Sequence, residues 1–436
     1  GRDAVLSVGA SPAQLPLIRA AAAAGFAVWA VDRADAPAAG DLLDAHLRIS
    51  TFEAGPAVAA ARAHPMAQRT RAVIQRTSGP ALATAAALAA ALGVAGPPAA
   101  FCAAAVRKSV LRERATALGL PCPAGRLVAD PGRDLPPDLS LHRGLLAKPD
   151  MPLCGKAAVV RLPAPPAGTP RAVAALLRDA AEASANGKVE VQDWLPGQDV
   201  GLLLLLTGGT PVLALAYDEI VAQQADGSVR GLGLAAPATG MGAGRLTALA
   251  LPLARSLGMD RGFAFFSFRA DAGGRAHLYE VNPGLCGDGI AELLLPGLFP
   301  GFDPFAAEIA AWTGRDPLPA GPLPAPRAAV LIGGASKRYR MTPKIGRYLE
   351  ERIAGLLDRG VGVMATVSRR TPEAIRKRLA ERFGSDPRKH VVFLIGEREY
   401  RTREALPVFA ERYLASDFRC TFVHASRLSA PRRVSS

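Results

Sequence analysis

His277-Leu278-Tyr279-Glu280-Val281-Asn282-Pro283-Gly284 is a short apolar strand that delivers a carboxylate and, two residues later, a carboxamide. Side chains alternate across a strand, so Glu280 and Asn282 point the same way and set two oxygen donors side by side at its end. Such a pair suits a hard cation: Mg2+ takes oxygen ligands, keeps several waters and is held through one or two carboxylates together with the phosphates of a nucleotide. Taken alone, the same eight residues also read as a solvent-facing Glu280 followed by an ordinary Asn-Pro-Gly turn. The upstream sequence bears on the choice.

Lys108 lies in a helix expected over 101–118, which stops at Gly119 before Pro121; by itself it reads as a solvated helix lysine. Leu145-Leu146-Ala147-Lys148 is a strand whose apolar neighbours bury the stem of Lys148. Its ammonium then requires an anion, because an unpaired buried charge is costly. A loop over 149–156 follows, carrying Gly155 and Lys156, and Val189-Glu190-Val191-Gln192-Asp193-Trp194-Leu195 is a strand that runs out at Pro196-Gly197. A lysine, a lysine with a loop, an acidic hinge strand and then Glu-x-Asn is the order in which ATP-grasp ligases present their nucleotide site. The chain resembles that family over about residues 4–318.

The resemblance implies an α/β parallel-sheet domain over 1–100, which closes on the substrate, followed by α+β ATP-grasp subdomains over 101–190 and 191–318. ATP and Mg2+ are the implied cofactors. Lys108 and Lys148 would reach the nucleotide phosphates, with Lys148 and Arg230 as the catalytic residues and Arg230 facing the transferred phosphoryl group. The loop with Gly155 and Lys156 would fold N–H groups over the phosphates, though a single glycine makes it a spare version of such loops. The backbone from Asp193 to Leu195 would meet the adenine edge, and Gln192 belongs to the same nucleotide-contacting stretch. Glu190 and Asp199 would lie near the base or ribose, while Trp194 reads equally as a core anchor. Glu280 and Asn282 would hold the metal, and residues 282–289 would form a glycine-rich mouth for substrate.

One position departs from the family. A typical member carries a further metal carboxylate about a dozen residues before the Glu of Glu-x-Asn, which falls here on Ser267 or Phe268. Either the metal has fewer protein ligands, or Asp218, Glu219 or Asp288 substitutes, or the site has decayed. Asp271 is close by but sits at a turn, where local hydrogen bonding is expected of it.

At 436 residues the chain exceeds one core, and two to four domains are expected at about 150 residues each. Hydrophobic residues make up 50% and aromatics 6%, so the cores are built on alanine, leucine and valine. No apolar run reaches the roughly 20 residues of a membrane-spanning helix. No charged-then-apolar leader opens the sequence, so a cytoplasmic location is expected. The five cysteines, Cys102, Cys122, Cys154, Cys286 and Cys420, are scattered without a Cys-x-x-Cys pair, as in a reducing compartment without structural zinc. Of the net charge of +14, the segment from Gly321 to Ser436 contributes +13, with 24 Lys and Arg against 11 Asp and Glu. That basic quarter lacks interleaved aromatic pairs and a recognisable binding module, so nucleic acid is not the expected partner. A small-molecule carboxylate and a nucleophile are; the oligomeric state is open.

The opening reads as β-α-β: a strand over 4–10, a helix over 14–24 and a strand over 27–31, hence a parallel sheet with a right-handed crossover. Gly9 stands alone rather than in Gly-x-Gly-x-x-Gly, which excludes a dinucleotide fingerprint despite Asp32. A strand over 71–75 and a helix over 79–92 follow. Further on, Thr207-Gly208-Gly209 joins strands over 200–206 and 211–217, a helix spans 245–257, and Ala272-Gly273-Gly274 joins a strand over 263–271 to the Glu-x-Asn strand. Five prolines between Asp316 and Arg327 mark a linker, assigned to 319–327.

Beyond it, residues 327–388 resemble part of the mitochondrial-fission-protein-like family, which looks like a glycosyltransferase of the B type. Gly333, Gly334, Ser336, Lys337 and Ser368-Arg369-Arg370-Thr371 would line a sugar-nucleotide diphosphate. Residues 390–425 look like the start of a trehalose-utilisation-protein-like domain. Units over 328–388 and 389–436, both partial, are the expectation. The sequence is therefore read as an ATP-dependent ligase that activates a carboxylate as an acylphosphate for attack by an amine or related nucleophile. The alternatives are a degenerate nucleotide-binding module of the same fold and a glycosyltransferase-like activity in the C-terminal part.

Overall fold

Two apolar runs open the chain as buried parallel strands, β1 (Ala4–Val8) and β2 (Ala27–Val31), joined through α1 (Leu15–Ala23). β3 (Ala45–Leu47), α2 (Ala54–Ala63), β4 (Thr70–Gln75) and α3 (Ala81–Leu92) complete a four-stranded parallel sheet in the order β3-β2-β1-β4. The order reverses between β1 and β4, the switch point at which such sheets open a crevice beyond their carboxyl ends. β3 and α2 had no signal in the sequence, one being three half-buried residues and the other an alanine-rich stretch with Gly and Pro in its first turn. The computed structural model describes residues 1–131, 145–152, 160–162, 170–223, 229–238, 240–285, 287, 289–299, 301–318, 328–332, 342–357, 363–367, 372–383, 391–395 and 420–424.

The helix expected over 101–118 is two helices, α4 (Ala99–Val106) and α5 (Lys108–Ala117), broken at Arg107, whose backbone is extended (φ −107°, ψ 113°). The cause is Asp150. Its carbonyl accepts the Lys108 N–H at 2.9 Å and its fully buried carboxylate accepts the Ser109 N–H at 2.8 Å, so the first donors of α5 are met from another segment. Asn186 Nδ2 donates to the other carboxylate oxygen at 2.7 Å. Lys108 is thereby the first residue of a helix rather than a mid-helix lysine.

β5 (Gly125–Val128), β6 (Leu145–Pro149), β7 (Val160–Leu162) and β8 (Val189–Asp193) form a small antiparallel sheet in the order β5-β8-β6-β7. α6 (Pro170–Glu182) packs Val173, Leu177 and Ala180 against its apolar face. A larger antiparallel sheet follows in the order β13-β12-β9-β10-β11, from β9 (Gln198–Thr207), β10 (Thr210–Gln223), β11 (Val229–Ala236), β12 (Gly262–Ala270) and β13 (Ala276–Pro283). The return strand expected over 211–217 continues to Gln223 and pairs with β11. α7 (Ala243–Ser256), α8 (Leu295–Leu298) and α9 (Pro304–Trp312) lie in the same part of the chain, and Phe101 of α4 meets Phe266 of β12 edge-on at 6.0 Å.

The parallel-sheet unit docks where the Glu-x-Asn strand ends. Gln75, closing β4, donates through Nε2 to the Pro283 carbonyl at 2.9 Å. Gly284 has φ +81°, and a Cβ there would lie 2.8 Å from that same nitrogen, so the position demands glycine twice over.

Farther on, β14 (Ala328–Ile332) pairs antiparallel with β11 and β15 (Val363–Val367) pairs parallel with β14, so the strand after the proline-rich stretch extends the larger sheet to seven strands. α10 (Pro343–Leu357) and α11 (Glu373–Phe383) accompany them, and β16 (Val391–Ile395) and β17 (Cys420–His424) form a separate parallel pair. Residues 319–327 and the diphosphate-lining positions Gly333, Gly334, Ser336, Lys337, Ser368, Arg369, Arg370 and Thr371 lie outside the described residues. Among the described residues no helix is long and apolar enough to cross a membrane.

Candidate active site

The pairing register decides which side chains of the larger sheet share a face. Glu280 is opposite Ser267, which is opposite Gly201, which is opposite Tyr217; Asn282, Arg269, Asp199 and Glu219 fall on the same side by alternation. Asn282 Nδ2 lies 3.3 Å from Glu280 Oε1, as the Glu-x-Asn spacing requires. The register slips between Ser267 and Phe268, leaving Tyr279 as an extra residue in β13. Such a bulge turns consecutive side chains towards one face, and Tyr279 thus joins Glu280 above the sheet. Burial, and then the charges of Asp199, Glu219 and Glu280, push the Tyr279 hydroxyl well above its usual pKa.

The small sheet supplies the opposing wall. Lys148 is paired with Glu190 in the register of β6 and β8, and Gln192 shares their face. Lys148 is buried, with its ammonium 4.8 Å from the centre of the Tyr279 ring. Burial first, and the neighbouring Lys108 second, lower its pKa to about 8, while Glu280, Glu190 and Asp199 oppose the shift. From the first turn of α5, Lys108 places Nζ 3.6 Å from Glu280 Oε1. Glu190 is fully buried and ion-paired with Arg112; burial raises its pKa and that partner works against the rise. Arg112 is four residues after Lys108 and so on the same helix face, a spacing that could have revealed it.

The hinge beyond β8 is tied to β12 by Arg269. Its guanidinium meets Asp199 at 2.8 Å, donates through Nε to the Leu195 carbonyl at 3.0 Å and stacks 4.7 Å over the Trp194 ring. Trp194 is half-buried and Asp199 already neutralised; no feature of the sequence linked either to Arg269, because the link is made by register. Asp193 and Leu195 border the same hinge, the Asp193 N–H donating to the Ala124 carbonyl at 2.8 Å. Gln192 Nε2 lies 3.4 Å from Glu190, and its buried Oε1 has no hydrogen-bond donor. Gly155 and Lys156 lie outside the described residues, and of Arg230 in β11 only the backbone, opposite Ala222 of β10, is described. Asp271 serves its turn: its carboxylate accepts the Arg275 N–H at 2.8 Å and meets His277 Nε2 at 3.1 Å.

Two ammonium groups, a carboxylate–carboxamide pair and a hinge with an unmet acceptor therefore converge between two sheets. The donor chemistry fits a nucleotide with its metal. Lysines neutralise phosphates, a purine amino group can donate to Gln192 Oε1, and oxygen donors at Glu280 and Asn282 suit Mg2+. Among the described residues no three His, Cys, Asp or Glu side chains form a metal cage. A cation shared with phosphates needs only one or two carboxylates.

Solved structures with the same architecture include phosphoribosylglycinamide synthetase from Anaerococcus prevotii and L-amino acid ligase from Bacillus licheniformis. The first is 10% identical, with a TM-score of 0.57 over 75% of this chain and 80% of that one. The second is 18% identical, with a TM-score of 0.58 over 72% and 75%. The chain has the ATP-grasp fold. N5-carboxyaminoimidazole synthetase from Staphylococcus aureus, solved with ADP, is a further relative of this fold at 11% identity, with a TM-score of 0.59 over 81% and 86%. At these identities the likeness is one of fold. A family described as mitochondrial fission ELM1 matches residues 305–407, reaching past both ends of the stretch read from the sequence and taking in nearly all of α9. No curated protein matches the chain.

Proposed function

We propose that the protein is an ATP-dependent ligase that phosphorylates a small-molecule carboxylate to an acylphosphate and hands it to an amine or related nucleophile. The observation that carries this reading is the convergence of Lys108 and Lys148, from separate elements, on the face that holds Glu280 and Asn282. Lys148 and Lys108 would bind the triphosphate and neutralise charge as the terminal phosphoryl group moves. The Tyr279 ring faces the Lys148 ammonium and the buried Glu190 stands opposite it in the strand register, while Gln192 with the 193–195 backbone would orient the base. Glu280 and Asn282 would hold Mg2+, whose chemistry is to draw charge from the phosphate oxygens. The crevice between β1 and β4, joined to the Glu-x-Asn strand through Gln75, is where the carboxylate would enter. Arg230, Gly155 and Lys156 stay in the proposal as contributors to phosphate closure, and 1–100, 101–190 and 191–318 as its structural units. The scattered cysteines support a reducing compartment such as the cytoplasm.

The test is a screen of carboxylates with ATP, Mg2+ and hydroxylamine, which traps an acylphosphate as a hydroxamate. A carboxylate-dependent hydroxamate with matching ADP, lost in Lys148→Ala, is expected. ADP binding without stimulation by any carboxylate would favour the second reading, a nucleotide-binding module without turnover, whose motive is the hydroxyl of Ser267 opposite Glu280. The ELM1 match keeps a glycosyltransferase-like role for the C-terminal part as a third reading, tested by binding of a sugar nucleotide.

A further inference from the structure

The Glu280–Asn282 pair offers one negative charge, while the residue facing Glu280 across the ladder, Ser267, offers only a hydroxyl. The carboxylates within reach can be sorted by face and partner. Asp199 shares the face but is paired with Arg269 at 2.8 Å. Asp218 is fully buried on the opposite side of β10, because it alternates with Tyr217 and Glu219. Asp271 is held by its own turn and His277. Asp288 lies outside the described residues. Glu219 is the one that reaches the residue opposite Glu280: it is buried on the face of Glu280, with its Oε1 3.4 Å from Ser267 Oγ.

Glu219 stands opposite Asp199 on β9 and so reaches Ser267 on the diagonal. The Tyr217 ring covers Gly201 between them, where a Cβ would lie 2.2 Å from the ring, so only a glycine leaves that ring room above the strand.

Resting on the ligase reading, we propose that Glu219 supplies the second carboxylate of the cation site, positioned by Ser267, so that the negative charge strand β12 lacks opposite Glu280 comes from two strands away. Mg2+ keeps several waters in such sites, so Glu219 would bind the ion directly or through one of them.

The experiment uses the full chain with Mn2+ as the probe, its free concentration followed by electron paramagnetic resonance with and without ADP, beside ADP titrations in chelator. The readout is the factor by which Mn2+ tightens ADP binding. Glu219→Gln is expected to cut Mn2+ affinity in the presence of ADP by about tenfold or more. Glu219→Gln/Ser267→Asp, with the carboxylate restored on β12, is expected to regain most of it, which separates loss of a ligand from loss of fold. Mn2+ affinity unchanged in Glu219→Gln but lost in Glu280→Gln overturns the inference, as does failure of the double variant to recover while its thermal unfolding matches wild type. Wild type that binds ADP in chelator but not Mn2+ overturns it while leaving nucleotide binding intact; wild type that binds no ADP removes the ligase reading itself.

Discussion

Lys148 is a buried ammonium facing a tyrosine ring with a second lysine nearby, and burial together with Lys108 brings its pKa down to about 8. Phosphates bind its charged form. Nucleotide affinity is therefore expected to hold below pH 8 and to fall above it, approaching tenfold per pH unit. Lys148→Arg, which keeps its charge throughout, should flatten that profile. The Tyr279 ring holds the charged form, so Tyr279→Leu should move the midpoint lower by roughly half a unit to one unit, while Tyr279→Phe should leave it in place. ADP titrations between pH 6.5 and 9.5 read both effects. Lys148 and the Glu280–Asn282 pair were legible in the sequence because each is announced by its own strand. Arg269 and Tyr279 were not: one acts through a cross-strand register and the other through a bulge, and neither leaves a mark on local spacing.

At the scale of elements, the break between α4 and α5 is set by a residue some forty positions away. Helical periodicity runs smoothly through Arg107, which is why one helix was expected; the buried carboxylate of Asp150 wins because it satisfies the Ser109 N–H of the second helix and the Asn186 amide together. Asp150→Ala leaves those groups unmet in a site closed to water. A loss of roughly 2–4 kcal/mol in urea unfolding is expected. Because Lys108 is the first residue of α5, ADP affinity should weaken in the same variant. Strands with strong apolar character, β1, β2, β6, β8, β9, β12 and β13, were legible from pattern alone. The short β3 and the extension of β10 towards β11 were not, since pairing partners and not composition create them.

At the scale of the molecule, α9 closes the back of the larger sheet through one carboxyl group. Glu308 accepts the Phe263 N–H at 2.7 Å and Trp312 Nε1–H at 2.9 Å, and burial pushes its pKa to about 7. An acid whose folded pKa lies above its unfolded value stabilises the fold while protonated. That contribution is complete below the unfolded pKa of 4.5 and is lost as pH rises through about 7, at a total of roughly 3 kcal/mol. Urea midpoints should fall between pH 5 and pH 8, and Glu308→Gln should show a shallower fall. The ATP-grasp fold class followed from motif order, whereas the docking of β14 on β11 did not, because the proline-rich stretch reads as a boundary whichever edge the next strand finds.

In the proposed site two sheets close on a nucleotide with its metal at Glu280. The decisive experiment is calorimetric titration of the full chain with a non-hydrolysable ATP analogue, with and without Mg2+, beside Glu280→Ala. Saturable binding that Mg2+ tightens, with the Mg2+ effect lost in the variant, is the predicted result. No binding of the analogue to the wild-type protein under either condition would contradict the account.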